Sequence, residues 1–182
     1  QTLQGQILTL CHQLKQKVNL EIDGSSPILP WLVKHSAWLI TRYMVHASDK
    51  KTSYSRRWNQ SYSSPICAFG ESVYFKISSS RHPKLKSSWN HGIWLGKDSA
   101  TNDHLIGAHS KVIRVRTVRR MPASVQWQLA PLQELKGTPD SPDGSGELDT
   151  AFIVGRHSLA RHPHSPHSEE PQLLHGAAGH SM

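Results

Sequence analysis

Two neighbouring stretches of the sequence combine cationic side chains with aromatic or apolar ones and contain no acid. Residues 84–97 read KLKSSWNHGIWLGK, and residues 111–120 read KVIRVRTVRR. The forked guanidinium group of arginine pairs well with phosphate oxygens, so the pattern predicts contact with a nucleic-acid backbone. The alternative is a solvated strand face that aids solubility. The candidate residues are Lys84, Lys86, Lys97, Lys111, Arg114, Arg116, Arg119 and Arg120.

The charge of the chain is unevenly distributed. Residues 1–121 carry 18 Lys and Arg against 6 Asp and Glu, a net +12, whereas residues 122–182 carry 3 against 7, a net −4. A positive field attracts polyanions, and nucleic acid is the commonest of them inside cells. An anionic membrane would call for a basic amphipathic helix, and the basic residues fall mostly outside the helical stretches.

Other residue groups give weaker indications of chemistry. Asp98 and Asp103 bracket a turn and could share a cation, but acids in such turns usually hydrogen-bond to the backbone. Two cysteines without Cys-x-x-Cys spacing indicate reduced thiols in an intracellular protein rather than a disulfide framework or a zinc site. No nucleophile elbow is present. Three tail histidines have ligand-like spacing, but the surrounding prolines favour an incidental His-rich tail. These are His162, His164 and His167.

Hydrophobic periodicity predicts two helices within residues 1–46. In residues 1–20 apolar side chains recur every three or four positions, as on one stripe of a helix. Gly24 suits the left-handed turn after a helix, and Pro27 prevents its continuation. A second helix is expected to start at Pro30 and to be buried, because it is apolar over most of its circumference. The stripe of the first helix consists of Leu3, Ile7, Leu10, Leu14 and Val18.

The tryptophans differ in what their surroundings predict. Trp31 and Trp38 lie on the second, largely apolar helix, so core packing is favoured over stacking on bases. For Trp89 and Trp94 the sequence does not decide between packing on the outside of the barrel and stacking on bases.

Residues 47–65 read as a polar connector, in which Arg56 and Arg57 are equally compatible with binding and with a solvated loop. In residues 66–121 the apolar period is two, which predicts a meander of four or five short strands. Such strands usually close into a small barrel, because closure hides their edges. Gly92 and Gly96 are expected to form bends. The residues assigned to the barrel core are Ile93, Leu95, Ile113, Val115 and Thr117.

Periodicity fades after Pro122. Residues 122–182 are predicted to form a linker and a His- and Pro-rich tail, with residues 136–182 disordered in isolation. The predicted class is therefore α+β: two helices, a small β-barrel and a disordered tail.

The order of these features resembles the integrase segment of copia-type retrotransposon polyproteins. In that family an Ala-x-x-x-Asn-Arg helix and a Thr-Pro-Tyr turn end a ribonuclease-H-like catalytic core. A small SH3-like barrel follows, with Phe-Gly, Lys-Leu-Asp and Gly-x-Phe-Leu-Gly-Tyr motifs. The resemblance covers about residues 1–122. The corresponding positions here are Ala37, Thr41, Arg42, Thr52-Ser53-Tyr54, Phe69-Gly70, Lys84-Leu85-Lys86 and residues 92–97.

This sequence departs from the family pattern at four positions. Thr41 stands in place of Asn, Ser53 in place of Pro, Lys86 in place of Asp and Lys97 in place of Tyr. The family uses three carboxylates to hold two divalent metals, magnesium being the expected ion, and the third is a glutamate early in the helix that residues 1–20 resemble. No acid precedes Glu21. The resemblance therefore implies a piece of a longer polypeptide that cannot cut or join DNA alone and contains no metal or catalytic site.

The resemblance implies a fragment of a Pol polyprotein that acts in DNA integration and binds DNA or RNA largely irrespective of sequence. Its partners would be nucleic acid and the rest of the polyprotein, in an intracellular and, for an integrase, nuclear location. Two alternatives stay open: an SH3-like module that docks a peptide or chromatin partner, and a non-functional transposon relic. No apolar run approaches the roughly 18–20 residues needed to cross a bilayer, so no membrane partner is expected.

Overall fold

A computed structural model describes residues 2–77 and 89–145 of the chain and shows an α+β fold, which confirms the predicted class. Two of the candidate lysines, Lys84 and Lys86, and the three tail histidines lie outside the described residues. The described helices are α1 (Leu3–Val18), α2 (Ile28–Tyr43), α3 (Ser53–Trp58) and α4 (Ala130–Gln133). The described strands are β1 (Ser72–Lys76), β2 (Trp89–Lys97), β3 (His104–Ala108), β4 (Lys111–Val115) and β5 (Thr117–Arg120).

Helix α1 follows the predicted apolar stripe, of which Leu10 and Leu14 are buried. The helix begins where the Thr2 side chain accepts a hydrogen bond from the Gly5 N–H, a common N-terminal cap. It ends earlier than predicted. Asn19, with φ of +53°, takes the left-handed position assigned to Gly24 and donates its N–H to the Lys15 carbonyl. Asparagine tolerates this conformation better than other residues with a Cβ, which explains the difference.

Helix α2 is buried along one side, whereas its composition predicted burial over most of its circumference; Val33 and Tyr43 are exposed. It begins at Ile28, two residues before the predicted start at Pro30. Its side chains at intervals of three or four residues face the rest of the protein, and Trp31 and Leu32 are almost fully buried. This side packs against α1 and against strand β2.

The five strands form one antiparallel sheet in the order β4-β3-β2-β1-β5. Strands β4 and β5 are its two edges, although Arg116 alone separates them in the chain. In a flat five-stranded sheet the edge strands would lie about 19 Å apart, whereas two residue steps span about 7 Å. The sheet must therefore curl sharply where β4 meets β5, but within the described residues no pairing between β4 and β5 closes it into a barrel.

Strand β2 is buried on both faces from Gly92 to Lys97. Ile93 and Leu95 belong to a cluster with Leu14, Leu32 and other helical side chains, whereas Trp94 lies in a second cluster on the opposite face. The sequence assigned Ile93 and Leu95 to the inside of a barrel. They are buried as predicted, but they face the helices. The members of the second cluster, inside the curl, are Cys67, Val73, Phe75, Trp94, Ile106 and Val115.

Residues 130–145, which the sequence analysis placed in a linker and tail, contribute to the packed fold. Leu132 and Leu135 join the cluster between the helices and the sheet. The Trp31 indole N–H donates to the Gly137 carbonyl at 2.7 Å, so this tryptophan is a core residue as predicted. The Val112 N–H donates to the Pro142 carbonyl at 2.6 Å and ties the segment to edge strand β4. Periodicity does not reveal such a segment, because a few anchoring side chains hold it.

A buried ion pair fastens β5 to the start of β1. The Glu71 side chain is fully buried, and its two oxygens accept hydrogen bonds from Arg120 at 2.6 and 2.7 Å. One of these oxygens also accepts from the Ala68 N–H at 2.9 Å. Burial alone would raise the pKa of Glu71, but the hydrogen bonds from Arg120 and Ala68 outweigh burial and lower that pKa.

We predict that Arg120→Met destabilises the fold by about 1–3 kcal/mol, because it removes the counterion and two hydrogen bonds of the buried Glu71 carboxylate, while Arg120 itself is half exposed. Arg119→Met is the matched control, since Arg119 is an exposed neighbour on the same strand. Its cost should be about 1 kcal/mol or less. Urea unfolding at neutral pH measures both values, and equal losses for the two variants would contradict the assigned role of Arg120.

Two buried histidines lie on either side of Trp94. The His35 ring centre is 5.2 Å from that of Trp94, and the Trp94 indole N–H donates to His104 Nδ1 at 2.9 Å. Burial lowers the pKa of His35 to about 4, and burial together with Lys97 lowers the pKa of His104 to about 4. Both rings are therefore neutral at physiological pH.

These shifts predict a loss of stability in acid. With pKa values of about 4 in the folded state and an ordinary value near 6.5 in the unfolded state, the unfolded chain binds more protons between these limits. Stability is thus complete above pH 6.5 and falls as the pH drops toward 4. For His35 alone we expect a loss of about 2 kcal/mol between pH 7 and pH 5.

The His35→Leu variant isolates this contribution. When the pH falls from 7 to 5, the wild type should lose about 2 kcal/mol more unfolding free energy than the variant, because the variant has no His35 to titrate. A difference that stays constant would show that His35 does not titrate on unfolding.

Candidate nucleic-acid interface

Three exposed cations line one cleft where the sheet curls. Lys76 ends β1, Arg114 lies in β4, and Arg116 is the bend between β4 and β5. We call these three residues the basic cleft. Asp103 and Thr117 also line it. Lys76, Arg114 and Arg116 form no ion pair within 4 Å in the part of the chain that the structure describes.

The bend at Arg116 changes which side chains face outward. In the sequence, residues 111–120 read as one strand. Strict alternation along that strand would place Thr117 on the core side with Ile113 and Val115. Val115 is buried and Ile113 is partly buried, as predicted, but Thr117 is exposed and lies opposite Lys76. Val118 faces the inner cluster instead. The bend interrupts the alternation, so the prediction for Thr117 is wrong.

Arg119 extends the positive surface beyond the basic cleft. It lies opposite Tyr74 in the pairing of β5 with β1, and its guanidinium carbon is 4.6 Å from the centre of the Trp89 ring on β2. The guanidinium therefore reaches across β1 and is held over the indole by a cation–π contact. This contact leaves the N–H groups at the edge of the guanidinium able to donate to phosphate oxygens.

Aromatic rings cover the same face of the sheet. Tyr74 lies opposite His91 in the pairing of β1 with β2, and their ring centres are 4.8 Å apart in an edge-to-face contact. His91 is exposed, and Tyr74 and Trp89 are half-buried. We call Tyr74, Trp89 and His91 the ring platform. It begins where the helices stop covering β2, since Ile93, two residues after His91, is buried beneath them.

Two of the predicted binding residues form hydrogen bonds within the protein instead. Lys97 is 5% exposed and donates through Nζ to the Asn102 carbonyl at 3.0 Å, and burial lowers its pKa. Its charge is therefore not presented on the surface. Arg120 is half exposed, but its guanidinium is engaged by Glu71. Lys111 is exposed at the other end of β4, outside the basic cleft.

Of the two acids that bracket the β2–β3 turn, Asp98 acts within the turn through its side chain, whereas Asp103 contributes its backbone carbonyl. The Asp98 carboxylate accepts hydrogen bonds from the Thr101 N–H and hydroxyl, both at 3.0 Å, and the Asp98 N–H donates to the Asp103 carbonyl at 2.8 Å. Burial tends to raise the pKa of Asp98, but the bonds from Thr101 lower it. Within residues 2–77 and 89–145, no group of three or more His, Cys, Asp or Glu side chains is placed to hold a metal ion.

The remaining aromatic and connector residues have structural roles. Trp94 is buried in the inner cluster, and Trp38 is 3% exposed, which confirms core packing for Trp38. The Arg42 guanidinium lies 4.4 Å from the Trp38 ring centre, so Trp38 and Arg42 pack together at the end of α2. Arg56 forms a two-point ion pair with Asp49, whereas Arg57 is exposed and lies over the Trp58 ring.

Three residues of this surface were not among the predicted binding residues: Tyr74, Lys76 and His91. The alternation in residues 72–77 indicates that Tyr74 and Lys76 share the outward face of their strand. Periodicity cannot say which strand lies beside β1, so the proximity of His91, Arg119 and the bend became evident from the structure.

No protein-family model, curated protein or solved structure matches this chain. The resemblance to the copia-type integrase segment thus stays a prediction. No helix within the described parts of the chain is both long enough and apolar enough to cross a membrane.

Proposed function

We propose that this chain is a sequence-independent nucleic-acid-binding segment of a retrotransposon integrase. The observation that carries the proposal is the basic cleft, in which Lys76, Arg114 and Arg116 are exposed and have no ion pair within the described residues. Arg119 lies nearby, already positioned over Trp89. A phosphate group in this cleft would be attracted by all three cations.

The proposed contacts are to the backbone of the nucleic acid rather than to base edges. Arginine and lysine on a curved sheet surface can bind successive phosphates, and each neutralised phosphate releases condensed counterions. Binding of this kind carries no sequence information and weakens steeply as salt is added.

Two features support the finer assignment to an integrase with an SH3-like barrel. The sheet has five short antiparallel strands, and its two edge strands are joined through Arg116 alone. Closure of this curled sheet would give the small barrel that the resemblance implies. The matched Thr52 and Tyr54 also lie at the start of a short helix, where Thr52 caps helix α3.

In this proposal the chain contributes binding to DNA integration, together with the rest of a Pol polyprotein in the nucleus. The divalent metals of the parent enzyme would need a carboxylate set, and the described residues offer none that fits. We assign no catalytic step to them.

We predict that duplex DNA binds the full chain at low salt and that log Kd rises linearly with log salt concentration. Replacing Arg114 and Arg116 together with Met should weaken binding and reduce the magnitude of the salt slope by about 2, since each lost phosphate contact removes about 0.9. Fluorescence anisotropy with labelled duplexes of two unrelated sequences measures the slope and tests sequence independence.

The matched control is the double replacement of Lys50 and Lys51 with Met, which removes the same charge from exposed positions between α2 and α3. Its salt slope should stay near that of the wild type. Absence of binding at low salt, or equal loss in both double variants, would contradict a local interface at the bend. Salt-independent binding of a peptide without binding of nucleic acid would favour a protein-interaction module.

A further inference from the structure

The ring platform adds aromatic side chains to the proposed interface, and contact with the phosphate backbone of a nucleic acid does not require them. Tyr74, Trp89 and His91 lie on the same sheet face as Lys76 and Arg119, as the strand pairings show. In the register, Tyr74 is between His91 and Arg119, and Lys76 is between Trp89 and Thr117. Rings and cations thus lie side by side on three adjacent strands.

This arrangement matches the chemistry of an unpaired strand. A single strand exposes the faces of its bases beside its phosphates, whereas a duplex keeps those faces stacked inside and presents phosphates and groove edges. Aromatic side chains stack on bases of any sequence, and arginine adds cation–π contacts. Rings next to phosphate-binding cations therefore complement a single strand better than a duplex.

The local packing favours availability of this surface. Exposure increases along β2 from the buried Ile93 to the exposed His91, because the helical layer ends between them. Tyr74 and His91 meet edge to face, an arrangement in which the edge of one ring covers one face of the other and leaves the opposite face uncovered by this contact. The Arg119 guanidinium carbon lies 4.6 Å from the centre of the Trp89 ring and brings its charge to the platform.

We propose that the ring platform stacks on unpaired bases, so that the preferred ligand of this surface is single-stranded nucleic acid. This inference rests on the proposed function, since the cations supply the attraction to the phosphates. Binding through phosphates alone favours a duplex, because a duplex has the higher charge density. Base stacking therefore adds a preference for single strands that the proposed function does not include.

The test compares three labelled probes of equal length by anisotropy with the full chain: a thymidine strand, an abasic strand with the same phosphates, and a duplex. We expect the thymidine strand to bind at least about fivefold more tightly than the abasic strand. We also expect it to bind more tightly than the duplex. A uridine strand and an abasic RNA strand of the same length repeat the comparison for RNA. Tighter binding of the strand with bases, in DNA or in RNA, supports the proposal.

The double variant Tyr74→Leu, His91→Leu should lose the preference for bases while it keeps its affinity for the abasic strand. Trp58→Leu is the control, because it removes an exposed ring from α3, away from the sheet. Its preference should equal that of the wild type. Tyr74→Phe keeps a ring and should also keep the preference, which provides a second measurement if the double variant does not fold.

The possible outcomes separate the two proposals. Equal affinity of the wild type for thymidine and abasic strands, or tighter binding of duplex, overturns base stacking and leaves phosphate binding intact. Loss of the preference in Trp58→Leu but not in the Tyr74 and His91 variant also overturns it. Failure of every probe to bind at low salt overturns phosphate binding as well.

Discussion

The structure depends on the burial of strand β2 on both of its faces from Gly92 to Lys97. One face places Ile93 and Leu95 against the helices, and the other places Trp94 inside the curled sheet. A strand buried in this way connects two hydrophobic clusters that would otherwise be separate. Gly96, with φ of +129°, lies beside the His35 ring, where a Cβ atom would come within 2.9 Å of Nδ1. Glycine at this position thus allows the helix to approach the strand.

This constraint also determines where a binding surface can form. Helices α1 and α2 with residues 130–137 cover the outer face of the sheet around Ile93, so that part is unavailable to a ligand. The outer face beyond His91, and the bend at Arg116, are exposed. The exposed cations gather there because the curl of the sheet brings the end of β1 close to the junction of β4 and β5. The Glu71–Arg120 ion pair holds β5 to the segment just before β1 and so supports the same bend.

The sequence was most informative where a pattern repeats. The apolar stripe of α1, the apolar composition of α2 and the period of two in the strands predicted the α+β class and the burial of residues such as Leu14, Trp31 and Ile93. It was least informative where single contacts decide. Lys97 resembles a surface lysine in the sequence, but its Nζ is satisfied by the Asn102 carbonyl inside a turn. Arg120 resembles its neighbour Arg119, but Glu71, 49 residues earlier in the chain, engages it. Thr117 changed face because one residue, Arg116, bends the strand.

The central claim is that nucleic acid binds at the bend and on the adjacent outer face. The most direct test is a titration of the isotope-labelled full chain with a short oligonucleotide, in which NMR records the shift of each backbone amide. We predict that the largest shifts occur in β1, β5, the start of β2 and the residues around Arg116, with small shifts in α1. Shifts centred on α1 or α3, or none at all at low salt, would contradict it.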